Sequence, residues 1–272
     1  MKYKLFISDY DGTLGGAPEN TIDSQTLSAI EKFEQNGGKF VICTGRMLTS
    51  VKRILASVNR KGTVVGFQGA IIQDLDNDIT LLDGGLSPQD ACLAVAEFLK
   101  DGALALAYDG EQLLYQPNEK YKEYIEIYTG TLKAESVPVA DLNAEILRRN
   151  NKIRKVCALC EKERVQGLVD KYNQKYNDTQ MSFNSGASRL IECINKQYNK
   201  GQAVRFLAKH FNVSLDEVLC VGDSTNDIPL ISGEWHGVAV GDGKDELKAV
   251  ANEITVPFSQ KPVLYLLEKY CL

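Results

Sequence analysis

At 272 residues, 44% hydrophobic and 25% charged, the chain has ordinary globular composition and length for one large or two modest apolar cores. A net charge of −5 without a basic block excludes a protein built to track a nucleic-acid backbone, and no apolar run approaches the ~18 residues of a membrane span. The opening MKYKLFISDYDGTL carries one short apolar run that ends on acids, with no small-residue cleavage site, so it does not read as a signal peptide and a cytoplasmic enzyme is expected.

In chain order, Tyr3–Ser8 reads as a short buried strand and Gly12–Asn20 as a turn-rich stretch. A helix is predicted from Ser24 to Gln35, with Leu27, Ile30 and Phe33 along one face and Gly37-Gly38 as its stop. Lys39–Cys43 is a second strand, Leu48–Val58 a helix and Thr63–Phe67 a third strand. Strands separated by helices of this length imply a parallel sheet with right-handed crossovers. The same grammar returns near the end. A helix over Gly201–Phe211 precedes strands at Val218–Val221 and Gly237–Val240, then helical Asp245–Ala251, strand Glu253–Val256 and a last helix over Pro262–Tyr270.

Between these halves the pattern changes. Helix-like Pro88–Leu99, Glu119–Tyr128 and Lys162–Tyr176 are interleaved with strand-like Ala103–Tyr108, Leu113–Gln116, Lys152–Leu159 and Thr179–Asn184. The predicted fold is therefore α/β: a Rossmann-like, doubly wound parallel core over 1–82 and 187–272, with an α+β domain over 83–186 inserted into it.

Three polar clusters follow three predicted strands: Asp9-Tyr10-Asp11-Gly12-Thr13, then Thr44-Gly45-Arg46, then Gly222-Asp223-Ser224-Thr225-Asn226-Asp227. An open parallel sheet binds ligands beyond the carboxyl ends of its strands, so these distant segments are expected to converge. Each has a plainer reading alone. Asp-Gly is a common turn former, Thr44-Gly45 could cap a helix, and Gly222–Asp227 could be an acidic loop.

DYDGT at 9–13, TGR at 44–46, Lys200 ahead of a helix and GDSTND at 222–227 resemble, in order, the four motifs of the haloacid dehalogenase superfamily. The long insertion resembles the cap of that superfamily's Cof-type sugar-phosphatase branch. The resemblance implies a Mg²⁺-dependent phosphatase for small phosphorylated metabolites. In it Asp9 is nucleophile and metal ligand, Asp223 the second carboxylate ligand, and the Asp11 backbone carbonyl a third. Asp227 belongs to the same metal site, orienting that shell or binding the ion directly. Asp11 is then the acid and base for leaving group and water, while Thr44, Gly45, Arg46, Lys200 and Asn226 are the phosphate and substrate contacts. Tyr10 and Gln68 depart from the usual Leu or Ile and the frequent Asn.

The resemblance also covers phosphomutases of the phosphomannomutase type, and a non-catalytic phosphometabolite sensor could be built on the same fold. Arg46 could equally form a surface salt bridge. Lys196 and Lys209 lie near Lys200, which is favoured because it opens a helix. His210 and His236 read as structural or solvated, Gly241-Asp242-Gly243 as a turn, and the lone Cys157-x-x-Cys160 as weak evidence for redox or zinc chemistry. A monomer or weak homodimer is expected.

Overall fold

The computed structural model describes residues 1–16, 20–132, 135–185 and 189–272. Residues 17–19 of the turn-rich stretch and the domain boundary read at 186/187 thus lie outside the described residues. In chain order the elements begin with β1 (Leu5–Ser8), α1 (Ser24–Gln35), β2 (Lys39–Cys43), α2 (Leu48–Ser57), β3 (Thr63–Gly66), β4 (Ile71–Asp74) and β5 (Ile79–Asp83). Next come α3 (Pro88–Lys100), β6 (Leu104–Asp109), β7 (Gln112–Tyr115), α4 (Lys122–Leu132), β8 (Glu135–Pro138), α5 (Leu142–Arg149) and β9 (Ile153–Leu159). They are followed by α6 (Val165–Lys175), β10 (Met181–Ser185), β11 (Leu190–Asn195), α7 (Lys200–His210), β12 (Val218–Gly222) and α8 (Ile228–Ile231). The chain closes with β13 (His236–Ala239), α9 (Asp245–Lys248), β14 (Glu253–Ile254) and α10 (Pro262–Tyr270).

Two compact units result, one over 1–82 and 199–272 and one over 83–198. The first holds an eight-stranded sheet in the order β14-β13-β12-β1-β2-β3-β4-β5. Pairing is parallel from β14 through β3, and β4 turns antiparallel to β3. β1 alternates sides as a strand must: Leu5 and Ile7 join a core with Val204 and Leu207 of α7 and Leu230 and Ile231 of α8. On the opposite face, Phe6 packs on Phe33 of α1 and Phe40 of β2. Helices therefore cover both faces, as a buried parallel sheet requires. With β12 on one side of β1 and β2 on the other, the chain reverses its winding direction at β1, which opens a crevice at the strands' carboxyl ends.

The second unit holds a six-stranded sheet, β10-β11-β9-β6-β7-β8, antiparallel except where β8 runs parallel to β7. Its core is separate: small Ala105, Ala107 and Ala158 let α3, α5 and α6 lie close to the sheet, around Phe98, Tyr172 and Phe183. The unit runs past the boundary expected at 186 because β11 pairs with both β9 and β10 of this sheet. Cys157 and Cys160 are buried in β9 and just after it. No helix among the described residues is long and apolar enough to cross a membrane.

Candidate active site

The three polar clusters all start where adjacent strands stop. Asp9 follows β1 and donates its backbone N–H to Val221 O of β12 at 2.9 Å, which ties the first cluster to the third. Thr44 follows β2 and is hydrogen-bonded through its N–H to Val65 O of β3. At the centre, carboxylate oxygens of Asp9, Asp223 and Asp227 lie within 4.8 Å of one another. Lys200 is 1% exposed, and its Nζ donates to Asp9 Oδ1 and Asp227 Oδ1, each at 2.6 Å. The lysine reaches them because Asn199 caps α7, accepting from Gln202 N–H at 3.0 Å, and so fixes Lys200 as its first residue.

The rest of the scaffold positions these groups. Asp227 Oδ2 accepts from the backbone N–H groups of Asp223 and Ser224 at 3.2 and 3.1 Å, so neither of its oxygens is without a partner. Thr13 Oγ1 donates to Asp223 Oδ1 at 3.3 Å. Gly12 has φ +77°, and a Cβ there would stand 2.7 Å from Asp223 Oδ2, so the loop needs glycine on both counts. The 241–243 loop is a turn that supports the same acid: Lys244 N–H donates to Asp223 O at 2.8 Å.

Three buried or half-buried carboxylates face one ammonium, which leaves two negative charges uncompensated. The titration of the groups reflects this. Burial, and then the Asp227 carboxylate, push the Asp9 carboxyl above its usual range against the pull of Lys200. The same two causes raise Asp223 to about 6. Burial disfavours the Lys200 ammonium, but Asp227 and Asp9 outweigh it and hold lysine above its ordinary value. A compact all-oxygen set with a deficit of two positive charges fits a hard divalent cation such as Mg²⁺.

The other expected residues are disposed around this centre. Thr44 is buried and its Oγ1 accepts the Arg46 N–H at 3.2 Å. Gly45 runs beneath Gln68: a Cβ there would meet Gln68 Nε2 at 2.5 Å. Asn226 is exposed on the 225–227 turn, outside the buried group of Asp9, Asp227 and Lys200. Asp11 and Arg46 meet each other. Arg46 Nε and Nη2 donate to Asp11 Oδ2 and Oδ1 at 2.7 and 2.5 Å, its Nη1 donates to Asn20 Oδ1 at 2.7 Å, and the guanidinium lies 4.8 Å from the Tyr10 ring centroid. Asn20 was not singled out from the sequence. Nor was the backbone at Phe67 and Gln68, where two non-glycine residues in succession take φ +49° and +60° beside Thr44, whose carbonyl accepts Gln68 N–H at 3.1 Å. The Gln68 side-chain oxygen is buried without a hydrogen-bond partner among the described residues.

Against known proteins, residues 6–267 match the family model for haloacid dehalogenase-like hydrolases. The chain is similar to Phosphatase YwpJ of Bacillus subtilis, 22% identical over 286 residues that cover 97% of this chain and 99% of that one. It is also similar to the 5-amino-6-(5-phospho-D-ribitylamino)uracil phosphatase YwtE of the same organism, 23% identical over 288 residues, 98% of this chain and 97% of the other. A solved haloacid dehalogenase-like hydrolase from B. subtilis shares the fold with a TM-score of 0.82 at 20% identity, covering 97% of this chain and 99% of its own. With nearly its whole length matched in sequence and fold, the chain belongs to the haloacid dehalogenase-like hydrolase family.

Proposed function

We propose that the protein is a Mg²⁺-dependent phosphatase for small phosphate monoesters, sugar phosphates or related metabolites, working through an aspartyl-phosphate on Asp9. The observation that carries this reading is the cluster of Asp9, Asp223 and Asp227 within 4.8 Å, with Lys200 bonded to two of them. Asp9, Asp223 and the Asp11 carbonyl would hold the ion, and Asp227, engaged by Lys200 and two backbone N–H groups, would orient them. When bound, the ion supplies positive charge that offsets the phosphate dianion's repulsion of a carboxylate nucleophile.

An Asp9 oxygen then bonds to phosphorus as the bond from phosphorus to the leaving oxygen breaks, and that oxygen takes a proton from Asp11 to depart as an alcohol. In the second step Asp11 removes a proton from water, the water oxygen bonds to phosphorus, and the phosphate leaves Asp9 as a carboxylate. Thr44, the Gly45 backbone, Asn226 and the Lys200 ammonium hold phosphoryl oxygens in this reading, and the second unit, residues 83–198, carries the selection of the leaving group. The name of the YwtE relative, a phosphatase of a phosphorylated ribityl chain, supports a polyol or sugar monoester as substrate class.

A phosphate-release screen over sugar phosphates, nucleotides and phosphorylated cofactors, with and without Mg²⁺, tests the proposal. Release should need Mg²⁺ and no bisphosphate activator, which separates a phosphatase from a mutase. Asp9→Asn should fall to background. Full activity in that variant would refute the nucleophile assignment.

A further inference from the structure

Asp11 has half of its side chain exposed, and a free aspartate there would sample several rotamers. Arg46 removes that freedom. Its fork meets both carboxylate oxygens, its remaining nitrogen is held by Asn20, and its central carbon lies over the Tyr10 ring, so the guanidinium is fixed on three sides. All three partners come from the first loop, whereas Arg46 comes from the second. The parallel register that sets Ser8 beside Ile42 brings the two loops together.

We propose that Arg46 is a positioning residue that aims the Asp11 carboxyl at the leaving oxygen, and not a contact to the substrate phosphate. The inference rests on the reading of Asp11 as the acid and base. Proton transfer needs the carboxyl within about 2.6–3.2 Å of the leaving oxygen as the bond to phosphorus breaks. One carboxyl oxygen can stay on Arg46 while the other gives its proton to the departing alkoxide, and the same oxygen later takes a proton from water. A half-exposed ion pair adds little to stability, so a purely structural role predicts a nearly silent substitution.

The test compares two aryl esters on Mg²⁺-loaded full-length protein. p-Nitrophenyl phosphate has a leaving group that departs with little protonation, and phenyl phosphate has one that needs it. Arg46→Ala should lower kcat about 100-fold on phenyl phosphate and about tenfold or less on p-nitrophenyl phosphate, with KM little changed. Arg46→Lys keeps the charge but not the fork, so it should fall near Arg46→Ala. In an Asp11→Asn background, Arg46→Ala should cost no more than about twofold further, because the residue it positions is already disabled. An equal loss on both esters, a loss confined to KM, or a loss that multiplies with Asp11→Asn would each overturn the positioning role. A wild-type protein that releases no phosphate from either ester would instead remove the phosphatase reading beneath it.

Discussion

Asp9 and Asp223 bind protons more tightly in the fold than an unfolded aspartate does, whose value is about 3.9. Their contribution to metal-free stability is therefore complete below about pH 4 and is lost as pH rises through about 6 for Asp223 and higher for Asp9. A cation bound there needs both acids ionised, so protons compete with it. The rise in Tm produced by saturating Mg²⁺ should be small at about pH 5.5 and grow toward about pH 8, and Asp223→Asn should abolish it throughout. Thermal scans across that range check this, and a rise that is equal or larger in acid would remove these two residues as ligands. The acids themselves were legible because each follows an apolar run and sits in a short polar turn. Their partners were less so. That Arg46 meets Asp11 depends on rotamers across two loops, and no spacing encodes it. In the sequence Gln68 stands out only as a departure from the family's pattern, since a left-handed φ at a large side chain leaves no compositional mark.

At the scale of elements, the strands that deliver the site are the most readable part of the chain. LFI of β1, FVIC of β2 and VLCV of β12 are uninterrupted apolar runs, as strands covered on both faces must be. β4 escapes because only Ala70 separates it from the Phe67–Gly69 turn, so in sequence it merges with the apolar run of β3. β5 is short and largely exposed, β8 is short, polar and ends on Pro138, and α5 spans only Leu142–Arg149, two turns with two buried residues. Helix α7 shows how an element's seat governs the chemistry. A Cβ at Gly201 would stand 2.4 Å from Pro229 O at the start of α8, so the helix can lie close enough to place Lys200 only with glycine there. Helix propensity alone says that Gly201→Ala stabilises by about 1 kcal/mol. The clash should win, costing ~1–3 kcal/mol in urea denaturation, and displacement of Lys200 should depress phosphate release. A variant that is more stable and fully active would show that α7 has room to shift.

For the molecule as a whole, the chain leaves one compact unit after Leu82 and re-enters it at Asn199. The points of exit and return are neighbours within the second unit: a Cβ at Gly84 would lie 2.5 Å from the Tyr198 ring, and Asn195 Nδ2 donates to Gly85 O at 3.0 Å. A segment that starts and ends at one place, pairs all its strands in its own sheet and has its own aromatic core has what a domain needs to fold alone. The sequence announced the change of pattern near Asp83 but not its end, because β11 continues the same sheet beyond the point where the composition ceases to change. The fragment 83–198, expressed by itself, should therefore unfold in a single cooperative urea transition, whereas one ending at 186 should not, since it lacks the strand that joins β9 to β10. Asp9, Asp223 and Asp227 all lie in the other unit, so Mg²⁺ should raise the Tm of the full chain and leave that of the fragment where it is. A fragment that melts without cooperativity would mean that the second core depends on the first, and a fragment that Mg²⁺ stabilises would place a cation site on the wrong half of the chain.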